Sequence, residues 1–108
     1  MKMVLAVVQN SDADTAIRSL VQAGHRVTQI ATTGGFFRQG NTTFMTGVAD
    51  DEVDGVLELL RENCQRRTRL VPVSPDPVEP LAMLGGHVEV VVGGATVFVF
   101  DVERFAQL

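Results

Sequence analysis

Apolar positions run without interruption from Met3 to Val8, within a Val-rich segment Lys2 to Gln9 closed by Asn10 and Ser11. That pattern predicts a strand. From Ser11 the period changes: Ala13, Ala16, Ile17, Leu20 and Val21 recur at helical spacing, and Gly24 supplies the stop. Ser11 with Asp14 three residues on resembles a capping box, with Asp in place of the usual Glu. His25 to Thr33 and Thr42 to Ala49 are rich in β-branched residues and flank a Gly-rich stretch, which predicts an antiparallel hairpin with a long connection. A second helix follows from about 51 to 65, with Val53, Val56, Leu57, Leu60 and Cys64 on one face. Acids at 50–54 crowd its start, and Arg61, Arg66, Arg67 and Arg69 its end, as the helix dipole favours. Residues 70–73 extend as a short strand, and all four prolines then fall between Pro72 and Pro80 in a long loop closed by Gly85 and Gly86. Val88 to Val92 and Ala95 to Val102 read as extended segments around Gly93 and Gly94, before a short terminal piece.

The resulting order, β-α-β-β-α-β, predicts an α+β, ferredoxin-like fold. Helices in that arrangement cover one sheet face. Yet the first strand is apolar on both parities: Met3, Leu5 and Val7 on one, Val4, Ala6 and Val8 on the other. With no spare helix to cover it, the second face is expected to meet identical subunits in a closed oligomer.

Composition narrows the classes. A chain of 108 residues is expected to form a single domain, 1–108, burying roughly two-thirds of its extended surface. Its lone Cys64 cannot form an intrachain disulfide, so nothing points to an oxidising compartment. The six-residue run at 3–8 is too short for a membrane span, which needs about 20 residues. A net charge of −4 argues against general DNA or RNA binding.

Catalytic signals are poor. His25 and His87 stand apart, with no ligand-spaced Cys or His, which argues against a metal site. Cys64 on an apolar helix stripe reads as an inert core thiol. The Gly-Gly pairs lack the Gly-Lys-Ser/Thr of a phosphate loop. Arg66, Arg67 and Arg69 read as a solvated, dipole-satisfying cluster. An enzyme is disfavoured. Two features invite a ligand. Phe is the only aromatic, and two of its six copies, Phe36 and Phe37, sit in the polar stretch 33–41. They suit either a planar base or a tuck back over the hairpin or into a subunit contact. Arg26 and Thr28 share a strand parity; Arg26 can meet a phosphate or pair with one of the thirteen carboxylates.

Two blocks, Ala31-Thr-Thr-Gly-Gly-Phe-Phe-Arg-Gln-Gly-Asn-Thr-Thr-Phe44 and Val92-Gly-Gly-Ala-Thr-Val-Phe-Val99, closely resemble signatures of the PII-like cyclic di-AMP receptor family. The opening strand and the acidic start of the second helix are similar too, so the resemblance runs essentially end to end, least at the proline loop. It implies a cytoplasmic, non-enzymatic, signal-transducing homotrimer with one cyclic di-AMP in each inter-subunit cleft and loops that order on binding, signalling to an unknown downstream protein. The resemblance places Arg26 at a phosphate, Thr28 at an adenine edge and Gly47 beside it. Phe36 and Phe37 would cover the purine, with Gly35 allowing close backbone approach. Asn41 would reach phosphate or base, Phe98 would form the wall, and Gln107 would read adenine. Gly24 stands where the family often has Asn, and Phe37 where Leu is common. No cofactor beyond this ligand is implied. Two alternatives accompany this expectation. One is a PII-like trimer for another adenine nucleotide. The other is an acylphosphatase-like hydrolase pairing Arg26 with Asn41, although that family's Gly-rich Phe-Arg signature near the first helix is absent.

Overall fold

The computed structural model describes residues 1–33, 40–72 and 87–108. Strand β1 (Lys2–Gln9) occupies the range its apolar run predicts, and leads directly into helix α1 (Asn10–Gln22). The helix starts before Ser11, with Gln9 at the N-cap position and no side-chain cap, so the expected Ser11–Asp14 box does not form. Gly24, at φ +94°, takes the left-handed turn after the helix.

Strand β2 (Thr28–Thr32) is shorter than its β-branched run, and β3 (Asn41–Val48) pairs with it antiparallel through a bulge between Gln29 and Ala31. Arg26 therefore precedes the strand, and the expected shared strand face of Arg26 and Thr28 does not extend to it. A 3-10 turn (Asp50–Glu52) then enters helix α2 (Val53–Asn63). The Glu52 carboxylate accepts the Ala49 N–H at 2.9 Å, so the acidic start of α2 does serve as a cap.

The largest departure from expectation follows α2. Strand β4 (Arg67–Pro72) pairs antiparallel with β5 (His87–Val92) in a separate two-stranded sheet. The main sheet, in order β2-β3-β1-β6, is completed by β6 (Ala95–Asp101). All of its neighbouring pairs are antiparallel, which places β3 between the parallel β1 and β2 of a split β-α-β unit. The ferredoxin-like fold is thus present, with a hairpin inserted before its last strand. Arg67 and Arg69 belong to that hairpin and not to the end of α2.

One face of the sheet carries the core. Val4, Ala6, Val8, Phe44 and Val48 pack with Ala13, Ala16 and Leu20 of α1 and Val56 and Leu60 of α2. Full burial of each large side chain stabilises by roughly 1.5–3 kcal/mol. On the opposite parity no described helix lies over the sheet: Met3, Leu5, Val7 and Met45 are only partly covered, and Phe98 and Phe100 are 55% and 48% exposed. The β4–β5 hairpin is also apolar and open, with Leu70 63% and Val91 65% exposed. Two strands alone are marginal in water, so the hairpin depends on what anchors its base.

Part of that anchor is Gly93, at φ +83°. A Cβ there would fall on the Gln65 carbonyl oxygen and within 2.6 Å of an Arg67 guanidinium nitrogen. Gly93→Ala combines a left-handed penalty with a backbone collision and is expected to destabilise by more than about 2 kcal/mol. Gly55, in α2 with open space around it, is the opposite case: Gly55→Ala is expected to stabilise by about 0.5–1 kcal/mol. Urea midpoints of the two variants should move in opposite directions from the wild type; a downward shift for both would contradict this account.

Candidate functional site

Along the open face, backbone register aligns Thr28 of β2, Met45 of β3, Leu5 of β1 and Phe98 of β6 in one cross-strand row. At about 4.8 Å per strand, Thr28 and Phe98 stand roughly 14 Å apart at opposite edges of the sheet. Gly47 lies two residues along β3 from Met45 and is exposed. Beside it, the Thr46 hydroxyl donates to the Arg26 carbonyl oxygen at 2.7 Å. Arg26, Thr28 and Gly47 thus gather at one corner of the sheet.

Arg26 is exposed, and its guanidinium has no carboxylate or other hydrogen-bond partner among the described residues. Among the described residues, the structural ion pair that its sequence also allows is not made. Asn41 opens β3 at the far end, opposite Gln9, with its N–H donated to the Thr33 hydroxyl at 3.0 Å. Five residue steps along β3 separate it from Thr46, roughly 17 Å at the usual rise. That exceeds the combined reach of an arginine and an asparagine, so these two do not form an acylphosphatase-type pair within one chain. Gln107 lies exposed beyond β6. Gly35, Phe36 and Phe37 lie outside the described residues.

Two clefts formed by the described residues do not collect these side chains. A cleft of about 480 Å³ between the end of α2 and the start of β6, lined by Leu57, Leu60, Cys64, Arg66 and Val97, holds none of them. A smaller one of about 180 Å³, lined by Gln9, Asn41, Arg66, Gly93 and Thr96, holds Asn41 alone. No group of three or more potential metal ligands occurs among the described residues, and no described helix is long and apolar enough to cross a membrane.

Sequence reasoning missed the polar junction at the first turn of α1. Asp12, with an 8% accessible side chain, receives both guanidinium nitrogens of Arg67, at 2.9 and 3.2 Å. The hydrogen bond, and then the carboxylate's charge, raise the Arg67 pKa above its ordinary value. Gln9 accepts the Gly93 N–H at 2.7 Å, and Asn10 bonds both flanks of the Gly-rich stretch. A polar triplet after an apolar strand reads as a helix start, and only the burial of Asp12 marks it as more.

Fold and site define a class: an α+β, ferredoxin-like chain with an open apolar sheet face and, at its corner, an exposed arginine whose guanidinium has no partner among the described residues. The sequence pattern of the cyclic-di-AMP receptor family matches residues 1–108, the whole chain. The chain belongs to that family. It is also similar to a solved crystal structure described as a functionally unknown protein from Pediococcus pentosaceus ATCC 25745. The two share 34% identity over 99% of this chain and 96% of that one, with a TM-score of 0.74.

The remaining chemical candidate, Cys64, is buried in the core. Burial first, and then the Asp12 charge, push its thiol up from 9.0 to about 11, so it is no nucleophile at neutral pH. Above pH 9 the unfolded chain releases a proton that the folded thiol keeps, so stability falls as pH rises from 9 towards 11. Between pH 8 and 10.5 the wild type should therefore lose about 1–2 kcal/mol more than Cys64→Ala, read from urea midpoints. Parallel losses in the two proteins would refute a buried, protonated thiol.

Proposed function

We propose that this protein is a non-enzymatic, cytoplasmic receptor for cyclic di-AMP, held in clefts between the subunits of a homotrimer. Family membership over the whole chain is the observation that carries this reading. The separation of the candidate residues supports its inter-subunit form. Thr28 and Phe98 sit about 14 Å apart at opposite edges of one sheet face, a separation that two neighbouring copies packed together would close. The exposed Phe98 and Phe100 supply the apolar surface that such packing covers.

Within the cleft, the exposed Arg26 meets a phosphate through charge-assisted hydrogen bonds, and Thr28 and Gly47 border the adenine. Gly35, Phe36, Phe37, Asn41 and Gln107 complete the set, as the resemblance of the sequence implies. With a net charge of −4, a dianionic ligand has to be held by local donors against the overall field of the chain. Ordering of the loops on binding would then carry the signal to a downstream protein.

Titration calorimetry tests the ligand. Arg26→Ala is expected to weaken cyclic di-AMP binding by about 1.5–3 kcal/mol, roughly ten- to a hundred-fold. No heat from wild-type protein at high micromolar ligand would sink the proposal. A thermal-shift panel of adenine nucleotides tests specificity, because a ligand that binds only the folded state raises the melting temperature. A rise with another nucleotide and none with cyclic di-AMP would move the reading to that ligand. Light scattering should give three times the 11.7 kDa chain mass, and a monomer or dimer would remove the trimeric cleft.

A further inference from the structure

We infer that the first turn of α1 couples the flanks of the Gly-rich segment to the β4–β5 hairpin, with Asn10 and Asp12 as positioning residues on its two sides. Asn10 spends its backbone N–H and both ends of its side-chain amide on the first side. Its backbone N–H donates to the Gly40 carbonyl at 3.0 Å, and its side-chain amide donates to the Thr33 carbonyl at 3.0 Å. Its amide oxygen accepts the Thr42 hydroxyl at 2.7 Å. Both ends of the connection between β2 and β3 are therefore held by one residue.

Two residues on, Asp12 grips the second side. Its buried carboxylate holds Arg67, the first residue of β4, and the same guanidinium donates to the Gln65 carbonyl at 2.9 Å. Gln9, one residue before Asn10, holds the N–H of Gly93 just past β5. Both strands of the hairpin are thus tied at their base to the same turn.

Asn10 and Asp12 are separated by only about 3 Å of helix rise, so the turn transmits a displacement with little slack. The buried carboxylate enforces this: leaving Asp12 unpaired in the interior is costly, so the turn and Arg67 move together. The contacts form a contiguous physical chain, and coupling evidence is what converts such a chain into a demonstrated link. That a nucleotide supplies the input at the Thr33–Thr42 side rests on the function proposed above; the coupling itself does not.

Amide hydrogen exchange of the full chain without ligand tests it directly. Asn10→Ala, which touches only the loop flanks, is expected to speed exchange in residues 67–70 and 88–92 by at least about twofold. Asp12→Asn, which touches only the hairpin side, should do the same at residues 40–43. Asp14→Asn, at an exposed position of the same helix, should change neither. If Asp12→Asn does not fold, Arg67→Lys keeps the charge, removes the two-pronged contact and should show the same cross-effect. Perturbations that stay on their own side of the turn would overturn the coupling. With saturating cyclic di-AMP, the wild type should respond in both regions, whereas Asp12→Asn should respond at 40–43 only. A wild-type response confined to the flanks would also overturn it. A wild type with no response anywhere counts against the receptor reading, while the ligand-free comparison still decides the coupling.

Discussion

A central strand that is apolar on both faces, with described helices packed on only one, sets the terms for the whole molecule. β1 pairs with β3 and β6, and its Val4, Ala6 and Val8 face α1 and α2. Its Met3, Leu5 and Val7 face the side on which Met45, Phe98 and Phe100 also stand. Apolar area of this kind is unfavourable in water in proportion to its extent. The same surface sits between the two edges where the candidate ligand residues lie. An open apolar face and candidate ligand residues at its two edges are thus features of one and the same surface.

The junction at the start of α1 answers a different shortage. A two-stranded hairpin has little core of its own, and β4–β5 leaves Leu70 and Val91 in solvent. It is held at the base by Asp12 on Arg67, by Gln9 on the Gly93 amide, and by the Gly94 N–H donated to the Cys64 carbonyl. Gly93 has to be glycine because the Gln65 carbonyl occupies the space of its missing side chain. The charged pair is thus part of the architecture, and its price in desolvation is offset by two aligned hydrogen bonds and an exposed guanidinium.

The candidate site could be drawn from the sequence as residue types, but little of its placement could. Arg26 and Thr28 could be singled out from the sequence, but their assignment to one strand face failed because β2 begins at Thr28. Asn41 and Arg26 looked like partners on chemistry alone, and the length of β3 separates them. Arg67 read as one of several solvated arginines after a helix, whereas it opens β4 and neutralises a buried acid. Asp12 was indistinguishable from an ordinary first-turn acid, because burial is a property of what packs around a residue.

The sequence by itself determined the elements whose signal is local: the limits of β1, the two amphipathic helices, the β2–β3 pair and hence the ferredoxin-like order. Periodicity reports which side of an element avoids water, and that preference is written residue by residue. Only the tertiary structure decided that β6 closes the sheet, that β4 and β5 form a separate hairpin, and that Gln9, Asn10 and Asp12 tie it to the Gly-rich flanks. Those outcomes depend on register and on contacts between residues as far apart as 55 and 84 positions, which no local pattern encodes.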